Sequence, residues 1–385
     1  MNAQKRQYLF ASLLGIFFLT LLGFGVSQDR DAIAPAYGQP CWFSEVDVRN
    51  EQPKHPEDAP PPDAATANSG VAPLSFPLQP DHLNWRLGLG LSNGNAEIWA
   101  QRLGTGWYID WSVQPRYPAQ MPEHWQMIRL GRGCIYPKPE AIAWLARHYP
   151  GAVWIIGNEP DNRWQDNVVP EEYAQVYHQL YSLLKENDPT AQVAMTGVTQ
   201  PTPLRLAYLD RVLAAYSALY GEPLPTDWWT VHGFVLREED GVGAGIPAGF
   251  SGIEAGQLYT PEDHGDVRLF QAQIIAFRSW MAENGYQDTP LVITEYGILL
   301  SPTYGYTPDV VAQYLLDTFV WLDSVADPEI GFPADDYHLV QRWAWYSVYD
   351  NLYTTSNLAN LKADALTEIG HAFVHFARIS LEKAK

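Results

Sequence analysis

Basic residues are scarce in this chain of 385 residues: it has 24 Lys and Arg against 44 Asp and Glu, a formal net charge of −20 at pH 7. Proteins bind nucleic acids and anionic membrane surfaces through Lys and Arg clusters that neutralise phosphate groups. The composition therefore argues against both as partners.

Cysteine is also scarce, with only Cys41 and Cys134 present. In an exported protein these two residues can form a disulfide that ties the N-terminal tail to the folded domain. Two free thiols are an equally good interpretation, because sequence alone does not pair cysteines.

Several motifs of catalysis and cofactor binding are missing. The chain has no phosphate-binding loop. Residues 88–93 resemble a dinucleotide fingerprint, but Asn93 stands where that motif needs its third Gly. His371 and His375 share a predicted helix face without the Glu of a zinc protease. We therefore expect no metal and no organic cofactor.

The N-terminal region carries an uncharged apolar segment at residues 8–26, preceded by Lys5 and Arg6. Its length is at the border between a secretory signal and a single membrane span. We predict that residues 1–28 are either a signal peptide or a single-pass membrane anchor. Because the positive charges precede the apolar run, both alternatives place the rest of the chain outside the cell. It would be secreted or anchored to the outer face of the cell membrane.

Residues 29–74 follow as a tail rich in Pro, Ala and Asp, without a repeating pattern. Such a composition is typical of an extended linker rather than of a folded domain. We expect the folded part to be one domain over residues 75–385 and the protein to be a monomer.

From residue 85 onwards, short apolar runs alternate with amphipathic segments. Runs of this kind suit parallel strands that are buried on both faces. Eight strands are predicted at 86–91, 107–111, 126–130, 152–156, 192–195, 228–231, 291–294 and 342–346.

Helical spacing of apolar residues between these runs predicts helices that begin near Pro170, precede Gly285 and begin at Thr307-Pro308. Residues 113–125 leave room only for a proline-broken connection. The alternation predicts an α/β fold, a single (β/α)8 TIM barrel, with a doubly wound sheet as the alternative.

Two predicted strands end on a glutamate, within Gly-Asn-Glu-Pro-Asp at residues 157–161 and Ile-Thr-Glu-Tyr-Gly at residues 293–297. Glu159 and Glu295 would follow the fourth and seventh barrel strands, and barrel active sites lie at the C-terminal ends of strands. Paired carboxylates are the groups that glycoside hydrolysis requires. The pair therefore predicts a catalytic acid/base and a second carboxylate that acts as nucleophile or activates a water, with Glu295 as the nucleophile candidate.

Further side chains are candidates for binding the substrate or orienting the carboxylates. Asn158 would donate a hydrogen bond to a sugar hydroxyl, and Tyr296 would orient Glu295. His232 ends the sixth strand, where a contact with the nucleophile, a contact with the substrate and a hydrogen-bonded core position are all open. The remaining candidates are Trp345 as a sugar-stacking ring, Asp110, Trp111 and, more weakly, Arg129.

At these residues the chain resembles the clan A glycoside hydrolases, and within them the "glycosyl hydrolase catalytic core" family, which contains endo-β-1,3-glucanases. The resemblance is carried by residues 107–111, 157–161 with 170–173, 227–232, 293–297 and 342–346. It implies Glu159 as acid/base, Glu295 as nucleophile and a retaining double displacement. Gly233-Phe234 after the sixth strand and Asp110 in the second depart from the family pattern.

The sequence thus predicts an enzyme, a glycosidase that cleaves a β-linked polysaccharide or oligosaccharide, with endo action on β-1,3-glucan as the first choice. A carbohydrate-binding surface protein on a barrel scaffold without catalysis is one alternative. An exo-acting relative on xylosides or mannans is another.

Overall fold

The computed structural model describes residues 82–383. The signal or anchor at 1–28, the linker at 29–74 and Cys41 lie outside these residues. Cys134 is disulfide-bonded. Between residues 82 and 383 no helix combines the length and the apolar composition needed to cross a membrane.

The fold is a (β/α)8 barrel, as predicted. Nine short parallel strands form its sheet: β1 (Asn84–Gly90), β2 (Thr105–Ile109), β3 (Glu123–His124), β4 (Gln126–Ile128), β5 (Val153–Ile156), β6 (Gln192–Met195), β7 (Trp228–His232), β10 (Leu291–Tyr296) and β11 (Arg342–Trp345). Two short hairpins complete the described strands: β8 (Glu238–Glu239) with β9 (Val242–Gly243), and β12 (Ala359–Asn360) with β13 (Ala365–Leu366).

The sheet closes through a divided third barrel strand. Its spatial order is β3-β2-β1-β11-β10-β7-β6-β5-β4, so β3 and β4 are the two ends of the order. They are consecutive in the chain, separated only by Trp125, and β3 pairs with β2 while β4 pairs with β5. The nine strands are therefore the eight positions of a barrel, with the third interrupted at Trp125.

Seven α-helices surround the strands in the described part of the chain: α1 (Ala96–Leu103), α2 (Pro139–His148), α3 (Pro170–Asn187), α4 (Pro203–Tyr220), α5 (Val267–Glu283), α6 (Pro308–Ser324) and α7 (Glu368–Lys383). Four of them begin with Pro, whose missing N–H costs nothing in the first turn. No helix lies between β2 and β3, so the proline-broken connection predicted there is confirmed.

The barrel interior is filled by large rings below the C-terminal ends of the strands. Trp107, Trp125 and Trp228 lie in one buried cluster, with ring centroids 5.0 and 5.3 Å apart along the series. A Cβ on Gly88 would lie 2.2 Å from the Trp107 ring. The glycine in the apparent nucleotide motif therefore makes room for an interior tryptophan.

Candidate active site

Glu159 and Glu295 face the same cavity at the C-terminal end of the barrel. Glu159 lies three residues beyond β5 and Glu295 lies in β10, the fourth and seventh barrel strands. Both are nearly buried, with 5% and 6% of their surface exposed. Both line a cavity of about 880 Å³. The structure thus brings together the two predicted carboxylates.

The backbone at Glu159 has a conformation that is unusual for this residue type. Its φ is 44°, in the left-handed region, which costs a non-glycine residue about 1 kcal/mol or more. The buried carboxylate of Asp166 stabilises the turn, since its Oδ2 accepts the N–H groups of Asn158 at 2.7 Å and Leu130 at 3.0 Å. This turn directs Glu159 into the cavity.

His232 lies between the two carboxylates, at the end of β7. Its Nδ1 is 2.8 Å from Glu159 Oε1, and its Nε2 is 3.5 Å from Glu295 Oε1. One ligand atom of each of the three residues lies within 4.8 Å of the others. His232 does not line the cavity, so of its predicted roles the contact with the carboxylates is the one that the geometry supports.

Each glutamate also has a partner of its own. Asn162 Nδ2 donates to Glu159 Oε2 at 2.7 Å, and Trp111 Nε1 donates to Glu295 Oε1 at 2.6 Å. Trp111 lines the cavity and also has a left-handed backbone, with φ of 56°. It is therefore a neutral donor that holds the Glu295 carboxylate in one orientation.

The proton affinities of these groups are linked. Burial raises the pKa of Glu295, His232 lowers it, the negative charge of Glu159 raises it, and the Trp111 N–H lowers it, with a net increase. Burial lowers the pKa of His232, but the charges of Glu295 and Glu159 outweigh burial and leave that pKa above its ordinary value. The pKa of Glu295 and the pKa of His232 therefore each depend on the charge of the other group.

Asn158, which the sequence predicts to contact the substrate, lines the cavity beside Glu159. It is 2% exposed, and its Oδ1 has no hydrogen-bond partner among the described residues. A buried amide oxygen without a partner is costly, so a sugar hydroxyl at this point would satisfy it.

Tyr296 and Trp345 do not reach the cavity, which corrects the expectation that they bind substrate or orient Glu295. Tyr296 packs against Phe270 at 4.9 Å between ring centroids, and its hydroxyl contacts Thr318. Trp345 packs on Tyr296 and donates its N–H to the Ser356 carbonyl. Both rings belong to the core between the strands and the helices.

The register of β10 explains this placement. Val292 points into the barrel and Ile293 towards the helices, so strict alternation would turn Glu295 outwards. The pairing of β10 with β7 shifts register between Ile293 and Glu295. This irregularity, like a β-bulge, brings Glu295 into the cavity and places Tyr296 behind it.

Tyr346, the residue after β11, takes the place expected for Trp345 and lines the cavity. Its ring contacts Trp111 at 5.6 Å between centroids, and its hydroxyl donates to Asp350 at 3.0 Å. The alternation of β11 predicts it, because Trp343 and Trp345 share one face and Tyr346 lies on the other.

Other cavity residues were missed because they lie in loops with no motif of their own. They share a position on the catalytic side of the barrel, and they include Asn162, Gln165, Leu236, Leu299, Tyr304 and Tyr353. Arg129, a weaker candidate, lines the cavity and binds Asp166 at 3.0 Å.

A buried ion cluster fixes the wall that follows β7. The fully buried Arg205 contacts Asp161 Oδ2 at 2.6 Å and Glu238 Oε1 at 3.0 Å, and it donates to the carbonyls of Ala244 and Gly245. Arg205 therefore ties the turn after Glu159 to the loop that contributes Gly243 to the cavity.

Within the described residues, Glu159, His232 and Glu295 are the cluster whose ligand atoms are close enough for a metal ion. The hydrogen bond between His232 Nδ1 and Glu159 at 2.8 Å and the contact between His232 Nε2 and Glu295 at 3.5 Å account for the spacing.

Fold and site together define a (β/α)8 barrel with two buried carboxylates facing a cavity at its C-terminal end. Among solved structures, the chain is similar to a GH128 (subgroup II) endo-β-1,3-glucanase from Sorangium cellulosum, at 17% identity and a TM-score of 0.50, over 75% of this chain and 97% of that one. It is also similar to a GH128 (subgroup II) endo-β-1,3-glucanase from Pseudomonas viridiflava, at 16% identity and a TM-score of 0.51, over 75% and 96%.

At these identities the likeness shows the fold, which the chain shares with those enzymes over nearly their whole length. No protein-family profile and no curated protein matches the sequence.

Proposed function

We propose that this protein is a retaining glycoside hydrolase that cleaves β-1,3-glucan by endo action. The observation that carries the proposal is the pair Glu159 and Glu295, both buried, with a carboxylate oxygen of each within 4.8 Å of the other in one cavity. Retaining enzymes hold their carboxyl groups about 5–5.5 Å apart, whereas inverting enzymes separate them by about 6.5–9.5 Å to admit a water.

The partners of the two groups support their assignment to different roles. Glu295 lies under the Trp111 N–H, which stabilises a carboxylate and leaves the other oxygen free for attack. Glu159 Oε1 contacts His232 Nδ1 at 2.8 Å and its Oε2 accepts from Asn162 Nδ2 at 2.7 Å, so both oxygens of the proposed acid/base are held in place. Burial raises the pKa of Glu295, and the His232 and Trp111 contacts lower it, so these contacts favour the ionised nucleophile although its pKa stays above the ordinary value.

In the first step, a Glu295 oxygen bonds to the anomeric carbon while the bond to the glycosidic oxygen breaks, and Glu159 gives its proton to that oxygen. In the second, Glu159 takes a proton from water as the water oxygen attacks the same carbon and releases Glu295. Each step inverts the anomeric centre, so the product retains the β configuration.

The choice of β-1,3-glucan rests on the family resemblance of the motifs and on the enzyme class of the two similar structures. Endo action is taken from the same two enzymes, both of which are endo-β-1,3-glucanases. The cavity volume of about 880 Å³ lies at the upper end of the roughly 300–1,000 Å³ of ligand pockets, which is enough for more than one sugar ring.

The test is the release of reducing sugar from laminarin, curdlan, lichenan, cellulose, xylan and mannan by the full chain, with Glu295→Gln as the inactive control. We expect release from laminarin or curdlan as a ladder of oligosaccharides, and a β anomer as the first product by proton NMR. If no polymer released reducing sugar, the proposal of a glycoside hydrolase would be refuted. A single small product would refute endo action, and an α anomer as the first product would refute double displacement.

We also propose that the barrel is exported and acts as a monomer. It would be either secreted or held at the outer face of the cell membrane by residues 8–26. Cell fractionation with N-terminal sequencing of the mature chain tests export, and light scattering of the purified protein tests the assembly state.

A further inference from the structure

Asp110 is a charged residue of the cavity that the double displacement does not use. It follows β2 directly and precedes Trp111, the partner of the nucleophile. Its side chain is 14% exposed and lines the cavity. A carboxylate in this position either binds the substrate or limits which substrates enter.

The surroundings keep Asp110 ionised and fixed. Its Oδ1 accepts hydrogen bonds from Ser112 Oγ at 2.8 Å, Ser112 N at 3.2 Å and His124 Nε2 at 2.8 Å, and its Oδ2 accepts from Gln114 Nε2. Burial raises the pKa of Asp110, and the hydrogen bonds from His124 and Ser112 act in the opposite direction and favour the carboxylate.

The hydrogen bonding of His124 indicates that it does not cancel this charge. The ring is buried, and its Nδ1 has no hydrogen-bond partner among the described residues. A protonated imidazole would leave a buried N–H unpaired at this atom, which is costly. The neutral form, with its proton on Nε2 and donated to Asp110, fits the contacts.

No free cation balances Asp110 within the cavity either. Among the described residues that line it, Arg129 is the one Lys or Arg, and it is paired with the buried Asp166 at 3.0 Å. The negative groups at the cavity are therefore the Glu159–Glu295 pair, which His232 contacts at 2.8 and 3.5 Å, and Asp110, which has no Lys or Arg partner among the residues that line the cavity. Charges in a partly buried site act over several ångströms because water screens them poorly.

We propose that Asp110 determines substrate specificity by excluding anionic glycans, so that the cavity accepts neutral β-glucan and tolerates a cationic amino sugar. The proposal rests on the proposed function for its neutral substrate. Carboxylated or sulfated chains would bring a like charge towards Asp110, whereas sugar hydroxyls and ammonium groups would meet an acceptor.

The experiment compares three laminarins that differ at C6 of a fraction of their glucose units: unmodified, oxidised to carboxylate and converted to amine. For the wild type we expect kcat/KM about tenfold lower on the carboxylated than on the aminated polymer. Asp110→Asn removes the charge and keeps the shape of the side chain, so it should reduce this difference in kcat/KM by a factor of about three or more.

Asp364→Asn is the matched control. It removes one negative charge from an exposed side chain paired with Arg102 at the surface, and Asn tolerates its φ of 49°. This variant should keep the wild-type ratio. The proposal would be overturned if both variants reduced the difference in kcat/KM equally, or if Asp110→Asn left that difference unchanged.

If Asp110→Asn does not fold, the wild-type enzyme alone tests the proposal. An equal decrease in its kcat/KM on the carboxylated and the aminated polymer, relative to unmodified laminarin, would overturn it. If no polymer is cleaved, calorimetric binding of the three corresponding oligosaccharides replaces kinetics. Discrimination by charge would then keep this inference while the proposed function fails, and equal affinities, including no binding, would refute it.

Discussion

Replacing Trp111 with Phe should move the acidic limb of the pH–rate profile upwards. The change removes the N–H that reaches Glu295 Oε1 at 2.6 Å and leaves an aromatic ring beside Tyr346. The hydrogen bond lowers the pKa of Glu295, so its loss raises that pKa further above the ordinary value. At a given low pH, less of the enzyme then has an ionised nucleophile.

The size of the shift follows from the type of contact. A buried hydrogen bond to a charged group contributes about 1.5–3 kcal/mol, and one pKa unit corresponds to about 1.4 kcal/mol. The acidic limb should therefore move by about 1 unit, and by no more than about 2, because the protonated carboxyl also accepts the N–H more weakly.

The assay is kcat/KM on laminarin from pH 3 to 9, since this parameter reports the groups of the free enzyme. Trp345→Phe is the control, because it removes another buried indole N–H, bonded to the Ser356 carbonyl, away from the cavity. The acidic limb of the control's pH–rate profile should coincide with that of the wild type. A folded Trp111→Phe enzyme with an unchanged acidic limb, or with a shift in the alkaline limb alone, would refute the reasoning.

Three other predictions concern the carboxylates and the core. Glu295→Gln should abolish turnover yet raise Tm at pH 7. Because the pKa of Glu295 is raised in the folded state, its ionisation costs stability as the pH rises, and the gain in Tm should vanish below pH 4. An equal gain in Tm at pH 7 and below pH 4 would contradict this linkage. Glu159→Ala should slow poor leaving groups most and recover with azide, and a rate loss independent of the leaving group would exclude an acid role. Gly88→Ala should lower the free energy of unfolding by about 1–3 kcal/mol because its Cβ meets the Trp107 ring at 2.2 Å, and an unchanged urea midpoint would show that the ring can move.

The strands and helices were predictable because each carries its own pattern. Apolar runs marked all eight barrel strands, and Pro170 and Pro308 marked the starts of α3 and α6. The break at Trp125 was missed, since an apolar run does not show that its two halves pair with different neighbours.

The side-chain directions at the site were less predictable. Tyr296 adjoins a catalytic candidate, and Trp345 is a large ring in a strand, but the register irregularity in β10 and the phase of β11 place both behind the barrel. The same phase brings Tyr346 to the cavity. Such phases depend on pairing with neighbouring strands, which the sequence of one strand does not specify.

The sequence by itself determined the barrel class and the two glutamates, because strand periodicity and strand ends are local properties of the chain. Only the tertiary structure decided that His232 bridges the carboxylates, that Trp111 donates to Glu295 and that Asp110 is fixed by His124. These contacts join residues from different strands. Their distances and burial set the charge of each group, and both quantities exist only once the barrel has closed.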